Sequence, residues 1–139
     1  MDRMYPSRPM VGVGVVVLNE GKLLLTKRLN EPGRGMWSIP GGLVELGEKV
    51  RDAAVREVYE ECGLKVEIIG LVDVGDIIVK DEKGVRFHYV IVIFKAKPLE
   101  GNLRAGDDVA EVRWVCFSEL HKYRIPPVVL NALKKIRKF

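Results

Sequence analysis

Glu57, Glu60 and Glu61 stand at i, i+3 and i+4, so on a helix their side chains converge on one patch. Like charges at such spacings destabilise a helix by about 0.2–0.5 kcal/mol per pair, which points to a compensating cation. The cluster offers oxygen ligands and no Cys or His. Hard divalent ions such as Mg²⁺ or Mn²⁺ suit that set better than zinc does. Mg²⁺ held by a few carboxylates usually keeps positions for water and substrate phosphates. The residue types therefore indicate metal-assisted phosphate chemistry. The competing reading is a solvated acidic face, the usual meaning of a charge run.

Plotted at 100° per residue, Ala54, Val55, Val58 and Cys62 fill an arc beside the three glutamates. The carboxylates then lie on the rim of a buried stripe, where a lower dielectric strengthens the hold on a cation. Arg56 projects within reach of Glu60, either as a surface ion pair of little worth or as a support for a glutamate of the cluster. Glu48 falls near the expected helix start, suited equally to the positive end of the helix dipole and to metal support.

The elements that must position this cluster are legible in outline. Residues 11–18 form a β-branched run, and a turn at residues 19–21 leads into residues 23–26, a hairpin pattern. Gly12 and Gly14 imitate part of a dinucleotide fingerprint but lie inside a strand and lack the third glycine. Residues 29–35 read as a Pro/Gly loop and residues 37–39 as a short strand. The glutamate helix is expected over residues 48–62, ended by Gly63. Strand material follows at residues 66–75 and 77–80, then a turn at 81–84 and a long strand at 85–96. Residues 98–108 read as a polar loop, 109–115 as a strand, and 118–120 as a helical turn. A final helix starts at Pro126-Pro127 with Val129, Leu133 and Ile136 as its packing stripe. The expected class is α+β: a layered sandwich with a mixed sheet, a central catalytic helix and a C-terminal helix.

Composition narrows the field further. A chain of 139 residues with 47% hydrophobic content suits one domain that buries about 70% of its extended surface. No apolar run approaches the roughly 18 residues that span a membrane, and residues 1–9 lack the apolar core of a signal peptide. A cytoplasmic location is expected. Cys62 and Cys116 read as two buried small hydrophobes, not a disulfide, and His88 and His121 have no zinc spacing. The net charge is +4, with Lys134, Lys135, Arg137 and Lys138 crowded at the C-terminal end. Cations favour the negative pole of a helix and no aromatics interleave for base stacking, so a nucleic-acid partner is not expected. One threonine and no glutamine lean in the thermophile direction.

A resemblance sharpens the chemistry. Gly42-Leu-Val-Glu-Leu-Gly-Glu48, then seven residues, then Arg56-Glu57-Val58-Tyr59-Glu60-Glu61-Cys62-Gly63-Leu64 resembles the Nudix box, nine defining positions in a window of 23. Trp37-Ser38-Ile39-Pro40-Gly41-Gly42 is similar to the family's lead-in, and a looser likeness runs from about Met10 to Leu120. The resemblance implies an α/β/α sandwich and Mg²⁺- or Mn²⁺-dependent hydrolysis of a nucleoside diphosphate linked to another moiety. It implies metal ligation by Glu57, Glu60, Glu61 and the carbonyl of Gly42, with Arg56 holding a box glutamate. A further acid often comes from a later loop. Among Asp107, Asp108 and Glu111, Asp108 fits that placement, although relatives often carry glutamate there.

The substrate is expected to be a small nucleotide, ADP-ribose first, cleaved to AMP and ribose 5-phosphate. Residues 106–114 and the opening Arg8-Pro9-Met10-Val11-Gly12-Val13 resemble small ADP-ribose pyrophosphatases, which often pair as homodimers. A proline-containing signature of many such enzymes is absent from residues 73–85. The alternatives are a hydrolase of oxidised triphosphates, one of dinucleoside polyphosphates or RNA 5′ ends, and a nucleotide-binding module without activity. Arg28, Trp37 and Arg86 are the candidate substrate contacts, alongside Lys27, Arg34, Phe87 and Tyr89. Each has a plainer reading as surface charge or core.

Overall fold

The computed structural model describes residues 3–136. The valine run of β1 (Met10–Asn19) has Val15, Val16 and Val17 all fully buried. Such a strand has no solvent face because helices cover the sheet on both sides. The seven-stranded mixed sheet contains β2 (Lys22–Arg28), β3 (Trp37–Ser38), β4 (Gly41–Leu43), β5 (Leu64–Asp81), β6 (Gly84–Gly101) and β7 (Val109–Cys116). β1 pairs with β6 in parallel; the remaining pairings are antiparallel. On one face Ala53, Ala54, Val58 and Cys62 of helix α1 (Val50–Cys62) pack against Val13, Val15, Val17 and Phe94. On the other, Val129, Ala132, Leu133 and Ile136 of α2 (Pro127–Ile136) pack against Val16, Leu23, Leu25 and Ile93. This is the expected α/β/α sandwich, and the α2 stripe contains the three anticipated residues.

Several boundaries differ from the sequence reading. Gly41 and Gly42 are strand residues: β4 pairs Gly42 with Val13 and Gly41 with Gly14. A pairing this short has no periodicity to betray it. Helix α1 begins at Val50, and its N-cap Lys49 makes no side-chain cap, so Glu48 lies outside the helix. Ala53 replaces Val55 in the fully buried stripe. The strand material expected as two pieces is one 18-residue strand, β5, with register shifts where it bends along β6. β6 extends to Gly101, paired with Leu64, so the first part of the expected polar loop is strand. Cys62 is buried as expected, but Cys116 is exposed: Val115 points inward, and strand alternation turns its neighbour outward. Lys134 and Lys135 are exposed on α2, and Lys135 pairs with Asp73 at 2.7 Å. Arg137 and Lys138 lie outside the described residues.

Candidate active site

Helix α1 presents its glutamates beside β4 because Gly41 and Gly42 allow the two backbones to touch. A Cβ on Gly42 would collide with the carboxyl group of Glu57, and one on Gly41 would collide with the Val13 carbonyl oxygen. The Gly41 amide donates to Glu61 Oε1 at 2.7 Å. Glycine here serves close approach.

Arg56 is the hub on the other side. Its guanidinium donates to both oxygens of Glu48 at 2.8 and 2.9 Å, to Glu57 Oε1 at 2.7 Å, to Glu60 Oε2 at 3.3 Å and to the Leu43 carbonyl at 3.1 Å. The bidentate pair holds Glu48 down to about pKa 2 and raises Arg56 above its ordinary value. Glu48 is therefore neither helix cap nor open ligand; it is a counterion that fixes Arg56. Arg56 in turn holds Glu57, which is more than a surface ion pair of little worth.

The third wall comes from the segment after β6. The Arg104 amide donates to the Cys62 carbonyl and the Gly106 amide to the Glu61 carbonyl, each at 2.9 Å. Gly63 ends α1 in the left-handed region, φ 76°. The loop thus caps the helix C-terminus, satisfying carbonyls left without helical partners, and carries Asp108 to the glutamates. Two cavities meet there. Glu57, Glu61 and Asp108 line both the main one, of about 710 Å³, and an outer basin of about 340 Å³ that also meets Glu60.

Burial is the largest influence on Glu61, pushing it up to about 8 against the opposing Gly41 amide and Arg28; Glu57 and Asp108 push the same way as burial. Burial also raises Glu57, with Arg56 opposing. Carboxylates disfavoured in their charged form by burial and by one another are suited to a cation. Among the described residues no three acidic, His or Cys side chains converge into a finished metal shell. The set instead matches a hard ion that takes one or two carboxylates plus carbonyl, water and phosphate oxygens. On donor chemistry, Glu57, Glu61 and the Gly42 carbonyl fit a divalent ion, with Glu60 more exposed at the outer edge.

The main cavity runs along a floor made of backbone. A Cβ on Gly12 would lie 2.9 Å from Ile91 Cδ1, and one on Gly14 2.9 Å from Ile39 Cδ1. The same cavity is lined by the basic Arg3 and Arg28, by Tyr89, by Glu31 and Asp76, and by the apolar Ile39, Ile93, Pro127 and Val128. Arg28 is the one candidate substrate contact from the first set of three that reaches this wall. Trp37 packs edge-on against Tyr123 at 5.2 Å with Arg113 over its ring, and Arg86 lies over Phe87 at 5.3 Å; neither lines the cavity. Phe87 is core, while Tyr89 is both core and cavity wall. Sequence reasoning left Tyr89 among the aromatics without separating it, since no local signal marks a core ring that also lines a cavity.

The NUDIX domain family matches residues 8–136. The chain is 37% identical over 120 residues to the ADP-ribose pyrophosphatase of Methanocaldococcus jannaschii, covering 86% of this chain and 69% of that protein. It is 34% identical to a MutT-like protein of Streptomyces ambofaciens, over 83% of this chain and 68% of that one. A MutT NUDIX hydrolase from Burkholderia pseudomallei shares the fold with a TM-score of 0.83 and 30% identity, over 94% of this chain and 99% of that one. The chain belongs to the Nudix hydrolase family. It is a pyrophosphohydrolase acting on small nucleotide substrates, and such hydrolases generally work with a divalent metal ion. No helix among the described residues is long and apolar enough to cross a membrane.

Proposed function

We propose that this protein hydrolyses ADP-ribose to AMP and ribose 5-phosphate. The observation that carries the reading is the main cavity. Its volume of about 710 Å³ is lined by the acidic Glu57, Glu61 and Asp108, the basic Arg3 and Arg28 and the apolar Ile39, Ile93 and Val128, which suits a diphosphate with a moiety on each side. A nucleoside triphosphate brings only one such moiety. The likeness to an ADP-ribose pyrophosphatase at 37% identity supports the same choice.

A divalent ion, Mg²⁺ or Mn²⁺, held by Glu57, Glu61 and the Gly42 carbonyl with Glu60 at the outer edge, would neutralise charge growing on the pyrophosphate and acidify the attacking water. The chain's own residues do the rest. Arg56 keeps Glu57 aimed at Gly42, and the Gly41 amide keeps Glu61 in place. Asp108, whose carboxylate makes no hydrogen bond or ion pair among the described residues, accepts the proton as water attacks phosphorus and the P–O–P bond breaks. Arg28, on the cavity wall, faces the diphosphate. Homodimer formation and a cytoplasmic location belong to this same reading.

The test is kcat/KM measured with Mg²⁺ or Mn²⁺ for ADP-ribose, other nucleotide sugars, dinucleoside polyphosphates, standard and oxidised triphosphates, and 5′-triphosphorylated RNA. ADP-ribose is expected to lead by tenfold or more, about 1.4 kcal/mol of transition-state preference. A triphosphate leading by that margin overturns the assignment. Excess chelator is expected to abolish turnover, and silence on every substrate with metal present would leave only a binding module.

A further inference from the structure

The segment ahead of β1, residues 3–9, is mostly exposed and is tied down at Tyr5. The Tyr5 amide donates to the Arg86 carbonyl at 2.8 Å, its hydroxyl donates to Asp81, and the Lys83 ammonium lies 5.9 Å from its ring centroid. All three partners sit at the tip of the β5–β6 hairpin. Tyr5 itself has φ 50°, in the left-handed region that a bulky residue rarely adopts. Such a conformation persists only where the surroundings over-determine it, and here the amide, the hydroxyl and the ring are all engaged. Two residues before this strained bend, Arg3 lines the main cavity. The strap therefore brings a cation to the cavity from one latch some 80 residues away in sequence.

That cation arrives beside another. Arg3 donates toward the Tyr89 hydroxyl and stands close enough to Arg28 to oppose its charge. Burial holds the Arg28 guanidinium below its ordinary range, and Arg3 pushes the same way against Glu61, Tyr89 and Glu31. No ion pair to either guanidinium forms among the described residues. With nothing between them, seating Arg3 costs like-charge repulsion in a partly dry space, which the latch at Tyr5 offsets. An anion between them reverses the sign, because each guanidinium then has a partner of opposite charge. A ligand shifts an equilibrium only by what it gains in one state over the other, and here the gain is the second guanidinium.

We propose that residues 3–9 form an anion-gated lid, which seats Arg3 over the main cavity while the substrate diphosphate is bound and lifts as the anion leaves, with Tyr5 as its positioning residue. This rests on reading the main cavity as the diphosphate site, not on which nucleotide carries the diphosphate.

The probe is inorganic pyrophosphate, added to the full chain in excess chelator, with free ribose as the neutral control. The readout is hydrogen exchange at the Tyr5 amide, whose bond to the Arg86 carbonyl breaks when the strap lifts. Pyrophosphate is expected to slow that exchange about tenfold in the native protein, and ribose to leave it unchanged. Arg3→Gln removes the repulsion, so its exchange is expected to be slow from the start and to gain little from pyrophosphate. Tyr5→Phe removes the hydroxyl held by Asp81 and is expected to speed exchange across the strap while the amides of β1 keep native protection. With metal restored, both variants are expected to raise KM on the best substrate about fivefold and to leave kcat nearly unchanged. Native exchange that pyrophosphate leaves unaltered overturns the proposal, as does an Arg3→Gln response equal to the native one. Equal slowing by ribose overturns it because charge would then play no part, and so does a KM unchanged in both variants. If ADP-ribose is not turned over but pyrophosphate still slows exchange through Arg3, the substrate assignment falls and the lid stands.

Discussion

Replacing Glu61 by glutamine removes a residue placed at the heart of the site, yet it is expected to stabilise the metal-free protein above neutral pH. Burial, Glu57 and Asp108 raise Glu61 to about 8 in the folded chain, against about 4.5 unfolded. Between those values the folded state binds a proton that the unfolded state has lost, so stability falls as pH rises through that window. The ceiling is 3.5 pH units at about 1.4 kcal/mol each, roughly 5 kcal/mol. Partial solvent access brings the expected difference nearer 3 kcal/mol, or about 10 °C in melting temperature for a chain of this size. Glutamine carries no charge to desolvate, and its side-chain oxygen can still accept the Gly41 amide. The assay is melting temperature against pH from 5 to 9 in excess chelator. Native protein and Glu61→Gln should coincide near pH 5 and diverge toward pH 9, with the variant more stable. Saturating Mg²⁺ should then stabilise the native protein most at high pH and the variant far less. Parallel melting curves across the range would refute the claim that a desolvated carboxylate is held here.

The glutamates are expected to differ in their effect on turnover. Glu57→Gln should lower kcat by about three decades, near 4 kcal/mol, because it is held at both Gly42 and Arg56; Glu60→Gln, on the exposed outer edge, should cost about tenfold. Equal losses in steady-state assays would show that the outer basin matters as much as the inner one. Gly42→Ala places a methyl group into the Glu57 carboxyl and is expected to cost at least a hundredfold in kcat/KM, with circular dichroism unchanged; near-native activity would mean that Glu57 can move aside without loss.

The sequence by itself determined the chemistry and the sandwich. Glu57, Glu60 and Glu61 fall on one side of the helix through its geometry alone, Gly63 stops that helix through its own left-handed backbone, and the apolar stripes of α1 and α2 follow from a 3.6-residue period. These are local properties, written in spacings of a few residues. Tertiary structure decided what those spacings could not express. It drew Glu48 away from capping and into a bidentate pair with Arg56, a contact made across the turn before the helix. Gly41 and Gly42 became strand residues because β1 was there to pair with them, and β6 ran on to Gly101 because Leu64 lay opposite. Asp108 reached the glutamates only because amides of the preceding loop satisfy carbonyls at the end of α1. Long-range packing likewise separated Arg28 and Tyr89, which face the cavity, from Trp37 and Arg86, which do not. The direction in which a side chain points depends on which surfaces close around it, and those surfaces come from segments distant in the chain.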